Sequence, residues 1–252
     1  MCTVVLLRRP GHRWPIIFAA NRDEMASRPW LPPGRHWPDR ANVTAGQDRL
    51  AGGSWLGVND DGLVAGILNR RDSLGSDPDL RSRGELVLEA LDHADAADAA
   101  KALGHLDGRG WRSFNLMVAD NRDAYWLKGT GAAGDGRIET HVIPPGLSMI
   151  TAYDMNDRKS ARIRHFRPLF EDAPAPEPER GQWSGWAALM ASREFAAGAD
   201  AAEAMCILRP GGFGTLSSSL IALAAPEAAK PRKIWRFAAG RPGKASYDSI
   251  EF

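Results

Sequence analysis

The sequence predicts an α+β fold in which antiparallel sheets are covered by helices. Short apolar runs rich in β-branched residues recur along the 252-residue chain, often in pairs joined by a turn. Helical periodicity is confined to two blocks, around residues 82–106 and 160–208. The order is therefore strands, helices, strands, helices, strands, and segregated runs of this kind build sheets with helices on them. There is no internal repeat. The proline-rich stretch Glu171–Glu179 is read as a loop that interrupts one domain, so residues 1–252 are taken as a single domain.

The first elements form a hairpin. Cys2–Leu7 is an apolar strand, Arg8–Arg13 supplies the turn, and Pro15–Ala20 is a second strand that stops at Asn21-Arg22-Asp23-Glu24. Ser27–Gly34 carries three prolines and reads as irregular. Val43–Asp48 is a strand, and Ala51–Val58 and Leu63–Asn69 flank an Asp61-Gly62 hairpin turn. Ser82 with Glu85 three residues later fits a capping box at the start of the first helix. An alanine-rich helix follows over Asp95–Leu106. Phe114–Ala119 and Ala124–Lys128 make another hairpin, and Gly136–Ile143 and Leu147–Tyr153 are further strands. Ser160–Phe170 reads as a helix whose arginines are solvated. Trp183–Ala196 and Asp200–Leu208 read as helices, and Phe213–Leu223 and Lys233–Phe237 as closing strands.

Composition narrows the function classes. Thirty-two basic side chains against thirty-one acidic ones leave a formal charge of +1, so no field of one sign favours nucleic acid or an anionic membrane. The opening apolar run is too short for a signal-peptide core or a membrane span. Two cysteines, Cys2 and Cys206, make no disulfide framework, and the expected location is the cytoplasm. Neither phosphate-binding glycine signature is present, nor HExxH, nor GxSxG. The six histidines show no metal spacing, so no cofactor or metal is expected.

Chemistry concentrates in the first hairpin. Removal of Met1 leaves Cys2 with a thiol and its own α-amine, whose reference pKa of about 8 suits it to accept a thiol proton. A terminal nucleophile activated by its own amine is one form of nucleophile–base catalysis. The hairpin brings Cys2 beside Asn21–Glu24, and alternation puts Asn21 and Asp23 on one face, Arg22 and Glu24 on the other. A carboxylate such as Asp23 orients an ammonium group. Asn69 is a candidate amide donor to an oxyanion.

Met1-Cys2, Asn21-Arg22-Asp23-Glu24, Arg28-Pro29, Ala51–Val58, Asn69, Ser82–Leu86 and Phe114-Asn115-Leu116 together resemble the NRDE family, to which transport and Golgi organisation protein 2 belongs. The resemblance implies a fold like the N-terminal nucleophile hydrolases, a four-layer αββα sandwich of two antiparallel sheets between helical layers. It is similar in layout to the choloylglycine hydrolase and penicillin V acylase group. Carried over, Cys2 would be the nucleophile of a small-molecule amidohydrolase, Asp23 the partner of its amine and Asn69 an oxyanion donor. Asn21, Arg22 and Glu24 would bind ligand or hold the corner together. Those acylases carry an arginine three residues before the aspartate, where this chain has Ala20. NRDE proteins usually show Ser-Asn where this chain has Thr151–Asp154, and Leu216 stands where they often have arginine. The eukaryotic relatives imply an alternative, a non-catalytic scaffold that binds and traffics haem or an acyl-CoA lipid.

Overall fold

A computed structural model describes residues 2–75, 77–228 and 233–252. Met1, whose removal the sequence reading invokes, lies outside them. The strands up to residue 144 are β1 (Thr3–Arg8), β2 (Ile16–Met25), β3 (Trp30–Gly34), β4 (Val43–Asp48), β5 (Leu56–Asn59), β6 (Val64–Asn69), β7 (Phe114–Ala119), β8 (Ala124–Gly129) and β9 (Ile138–Val142). Helices α1 (Gly84–Leu91) and α2 (Ala96–Gly104) fall between β6 and β7. Then come β10 (Gly146–Ile150), α3 (Ala161–Asp172), α4 (Ser184–Met190), β11 (Phe213–Leu223), β12 (Lys233–Ala238) and β13 (Asp248–Ser249). The chain forms two compact units, Met1–Ser27 with Pro145–Glu251, and Arg28–Pro144.

The first unit is a six-stranded sheet in the order β10-β1-β2-β11-β12-β13, antiparallel throughout. Alternation sends Val5, Ile17, Ala19, Leu220 and Ala222 to one face, where they pack against Ile163, Phe166 and Phe170 of α3 and Trp186 and Met190 of α4. Helix α4 has seven residues, far below the roughly 12–15 at which an isolated helix becomes even marginal. It persists because Trp186 and Met190 are buried in that core. The second unit is a seven-stranded meander in chain order, β3 to β9. Leu86, Val87, Leu91, Ala99 and Leu103 of α1 and α2 cover Val43, Ala65, Phe114 and Leu116 of its sheet.

Several elements differ from the sequence expectation. Strand β2 does not stop at Ala20 but runs through Asn21–Met25, because β11 continues beside it and pairs Thr215 with Asp23. A bulge in β11 between Thr215 and Ser217 separates this outer part of the pairing from the rest. Trp30–Gly34 is a strand despite its prolines. It lies at a sheet edge, and its pairing to β4 skips from Leu31 to Gly34 across the two residues that cannot donate. The helix expected over Trp183–Ala196 is only Ser184–Met190. Asp200–Leu208 is not an α-helix: a single 3-10 turn at Ala201–Glu203 is capped by the Asp200 carboxylate, which accepts from Ala202 N at 2.7 Å. The following residues are tied sideways, Cys206 N to Ser192 O at 2.8 Å and Ile207 N to Thr215 Oγ1 at 2.8 Å. Arg162, expected among solvated arginines, is 1% exposed. The capping box does not form: Ser82 Oγ accepts from Gly84 N at 3.3 Å rather than from Glu85 N, and the Glu85 carboxylate turns to Arg81.

Gly53 and Gly84 share one explanation. Ser54 N donates to Gly84 O at 3.1 Å, and a Cβ on Gly53 would fall 2.5 Å from the Gly84 carbonyl carbon. Gly53→Ala is therefore expected to destabilise the protein by about 1–3 kcal/mol through overpacking. Gly185→Ala, in α4 with open space around the added methyl, is expected to be neutral or to stabilise by up to about 1 kcal/mol. Chemical denaturation of the two variants beside the parent checks both signs.

Candidate active site

The β1–β2 hairpin sets Thr3 opposite Asn21, so residue 2 lies beside the outer end of β2. The Cys2 thiol there points its hydrogen toward the Asp23 carbonyl oxygen, with Sγ 3.8 Å away. Strand alternation divides the remaining groups. Thr3, Asn21 and Asp23 share the face that α3 and α4 cover, while Cys2 and Arg22 belong to the other. The thiol thus meets the main chain of Asp23 and not its carboxylate. Cys2 is partly exposed. Burial pushes its thiol above the ordinary range, and the nearby negative charge of Asp23 pushes it the same way.

The Asp23 carboxylate is held from two sides. Thr215 Oγ1 donates to Oδ1 at 2.6 Å, and Nη1 of Arg162 lies 3.6 Å from Oδ2. Both charged side chains are essentially sealed from solvent, at 0% and 1% exposure. Thr215 is itself fixed, its hydroxyl accepting from Ile207 N and its own N–H donating to Ile207 O at 2.9 Å. Arg162 sits in the first turn of α3, behind the Ser160 cap whose Oγ accepts from Ile163 N. Its guanidinium also donates to Thr3 Oγ1 and Ala202 O, and to Glu203 O at 3.4 Å. Its peptide N–H donates to Glu203 Oε2 at 3.0 Å.

Asn21 ties the same region together. Its Nδ2 donates to Met190 O, the last carbonyl of α4, and to Met205 O, both at 2.9 Å. Helix ends leave such carbonyls without intrahelical partners, and Asn21 supplies one. Arg22 is buried, and the Glu24 carboxylate turns back to accept from Met25 N at 2.8 Å. Asn69 closes β6 in the second unit, where its Nδ2 donates to Arg70 O at 3.1 Å. Cys206 is buried in the first unit, and desolvation raises its thiol as well. Among the described residues no group of three or more His, Cys, Asp or Glu side chains is arranged to hold a metal ion. Nor is any described helix long and apolar enough to cross a membrane.

Arg162, Thr3 and Thr215 are the residues that sequence reasoning missed. Arg162 had a readable signal. It precedes Phe166 and Phe170 by four and eight residues, which places it on the buried stripe of α3. Thr3 and Thr215 carry no such signal, since a threonine in a strand is ordinary.

The family described as Transport and Golgi organisation 2 matches residues 1–224. No match is found among curated protein sequences. Among solved structures, the chain is similar to the Caenorhabditis elegans N-acylethanolamine-hydrolyzing acid amidase ortholog, with 11% identity and a TM-score of 0.57, covering 99% of this chain and 100% of that one. It is also similar to two variants of the conjugated bile acid hydrolase from Clostridium perfringens. One has a TM-score of 0.56 at 12% identity over 99% of this chain and 92% of the other; the second has 0.54 at 12% identity over 100% and 92%. At such identity the likeness shows the fold alone. That fold is N-terminal nucleophile hydrolase-like, α+β with two antiparallel sheets and four α-helices among the described residues.

Replacing Asp23 by asparagine keeps an acceptor for Thr215 but leaves Arg162 buried without its counter-charge. Asp23→Asn is expected to cost about 3–5 kcal/mol, measured by denaturant unfolding. Because Asp23 raises the Cys2 thiol, its loss should lower that thiol's titration, so alkylation of Cys2 begins at a lower pH than in the parent.

Proposed function

We propose a catalytic role for the N-terminal corner of this chain, which belongs to the Transport and Golgi organisation 2 family: a cysteine amidohydrolase acting on a small-molecule amide through Cys2. The observation that carries the reading is the placement of Cys2 against the end of β2, with Sγ 3.8 Å from Asp23 O, in an N-terminal nucleophile hydrolase-like fold. Burial holds the thiol's proton more tightly than in an ordinary cysteine. A thiol held protonated at neutral pH does not attack as a standing thiolate, so it needs a base at the moment of attack. Once Met1 is removed, the α-amine of the same residue is that base.

In this reading Sγ bonds to the amide carbonyl carbon while the thiol proton passes to the α-amine. The tetrahedral intermediate then collapses, the carbon–nitrogen bond breaks, and the ammonium returns its proton to the leaving amine. Water hydrolyses the thioester, with the α-amine accepting a proton from the water and giving it to the departing sulfur. The carboxylate of Asp23 favours the ammonium form between these transfers. Conjugated amides in which an acyl chain is joined to a small polar amine are the substrates to try first, because the structural neighbours include an N-acylethanolamine amidase and a conjugated bile acid hydrolase.

Intact-mass measurement of the purified protein is the first test, since a retained Met1 blocks the amine and overturns the mechanism. With Met1 absent, release of amine from a panel of N-acyl amides is expected to disappear in Cys2→Ala, a loss of at least about a thousandfold. Cys206→Ala is expected to retain activity. Equal turnover by the parent and Cys2→Ala would reject the assignment.

A further inference from the structure

We infer that Arg162 is the positioning residue of the Cys2 corner, reaching Asp23 from α3 and locking the start of β1 against the end of β2. The inference rests on the catalytic reading for what the corner does, and on geometry alone for how it is held.

A guanidinium offers five N–H donors in a rigid fork, and Arg162 distributes them over groups that belong to different elements. Nη1 faces both the Asp23 carboxylate of β2 and the Thr3 hydroxyl of β1. Nη2 and Nε take the carbonyls of Ala202 and Glu203, in the 3-10 turn between α4 and β11. The Glu203 carboxylate accepts the Arg162 peptide N–H, which fixes the turn of helix from which the side chain departs. Thr215 of β11 completes the cage on the far oxygen of Asp23. Thr3 is the residue after Cys2, so its hydroxyl bond sets where the nucleophile's own main chain lies.

Location also matters. On the strand itself, three residues before Asp23, stands the uncharged Ala20. The cation arrives instead from a helix more than 130 residues further along the chain, on the face of β2 that carries Asn21 and Asp23. A lysine could supply the charge but not the fork, because a single ammonium cannot span a carboxylate, a hydroxyl and two carbonyls held this far apart. The charged groups around the corner are the N-terminal amine, Asp23 and Arg22 on β2, Arg162 on α3 and Glu203 on the 3-10 turn. Against the thiol the Asp23 carboxylate acts to hold the proton and Arg22 acts the other way, while Arg162 faces the carboxylate itself.

The test is the pH dependence of Cys2 alkylation by iodoacetamide, read by peptide mass spectrometry, with buried Cys206 as the internal measure of folding. In Arg162→Met the Asp23 carboxylate loses the guanidinium that faces it, so more of its charge reaches the thiol. The midpoint is expected to rise by roughly one pH unit, making Cys2 about tenfold slower at pH 8 while Cys206 stays protected. Asp23→Asn should move the midpoint the other way, and Arg162→Lys should fall between Arg162→Met and the parent. A folded Arg162→Met with the parental midpoint would overturn the inference. If Arg162→Met does not fold, Arg162→Lys decides, and a parental profile in it would equally overturn the assignment. Intact-mass data separate the two readings: Met1 retained with the shift present removes the amidohydrolase and keeps the positioning role, while Met1 absent with no shift removes only the positioning role.

Discussion

A buried carboxylate facing a buried guanidinium is the constraint on which the first unit depends. Neither Asp23 nor Arg162 can be desolvated alone, since the effective penalty for a single buried ion is several kcal/mol. Each therefore specifies the other's position, and everything attached to them follows. Asp23 fixes the outer end of β2; Arg162 fixes the first turn of α3. Thr215 brings β11 to the carboxylate, and Thr3 brings β1 to the guanidinium. Removing one partner of such a buried pair is the costly event, whereas replacing both by well-packed apolar side chains is often neutral.

Buried asparagines repeat the same logic on a smaller scale. Asn21 donates to the last carbonyl of α4 and to Met205 O, and in the second unit Asn59 donates to Leu91 O at 3.1 Å and His93 O at 2.7 Å, at the end of α1. In both cases a strand side chain completes a helix terminus that the helix cannot complete itself. This lets α1 and α4 be short. Their ends are supplied with partners from the sheet, and their apolar residues supply the rest of the stability.

Much of this was legible in the sequence, and the limits have physical causes. The hairpins were visible because period-two burial and Asp61-Gly62 are local signals, with Gly62 at φ 96° as a turn of that kind requires. The end of β2 was misplaced because Asn21-Arg22-Asp23-Glu24 looks like a solvated stop. Those residues are strand only because β11, some 190 positions later, supplies the pairing and the Thr215 hydroxyl. Segment 200–208 has the composition of a helix, but beyond its 3-10 turn it is tied sideways to Ser192 and Thr215, partners no local window contains. The arginines of α3 read as solvent-facing because the helix is rich in charge and a charged side chain is rarely buried. Four-residue spacing to Phe166 and Phe170 marks Arg162 as the exception.

The order of strands also governs when the corner can exist at all. The meander β3 to β9 pairs each strand with its sequence neighbour, so it can form as the chain emerges during synthesis. The sheet holding β1 and β2 needs β10 on one side and β11 on the other, and the cage around Asp23 needs Arg162 and Thr215 as well. During translation the N-terminal hairpin is made first and completed last. Until residue 215 has been made, Cys2 lacks the enclosure that raises its thiol. A corner assembled this late is absent from every truncated or half-folded form of the protein.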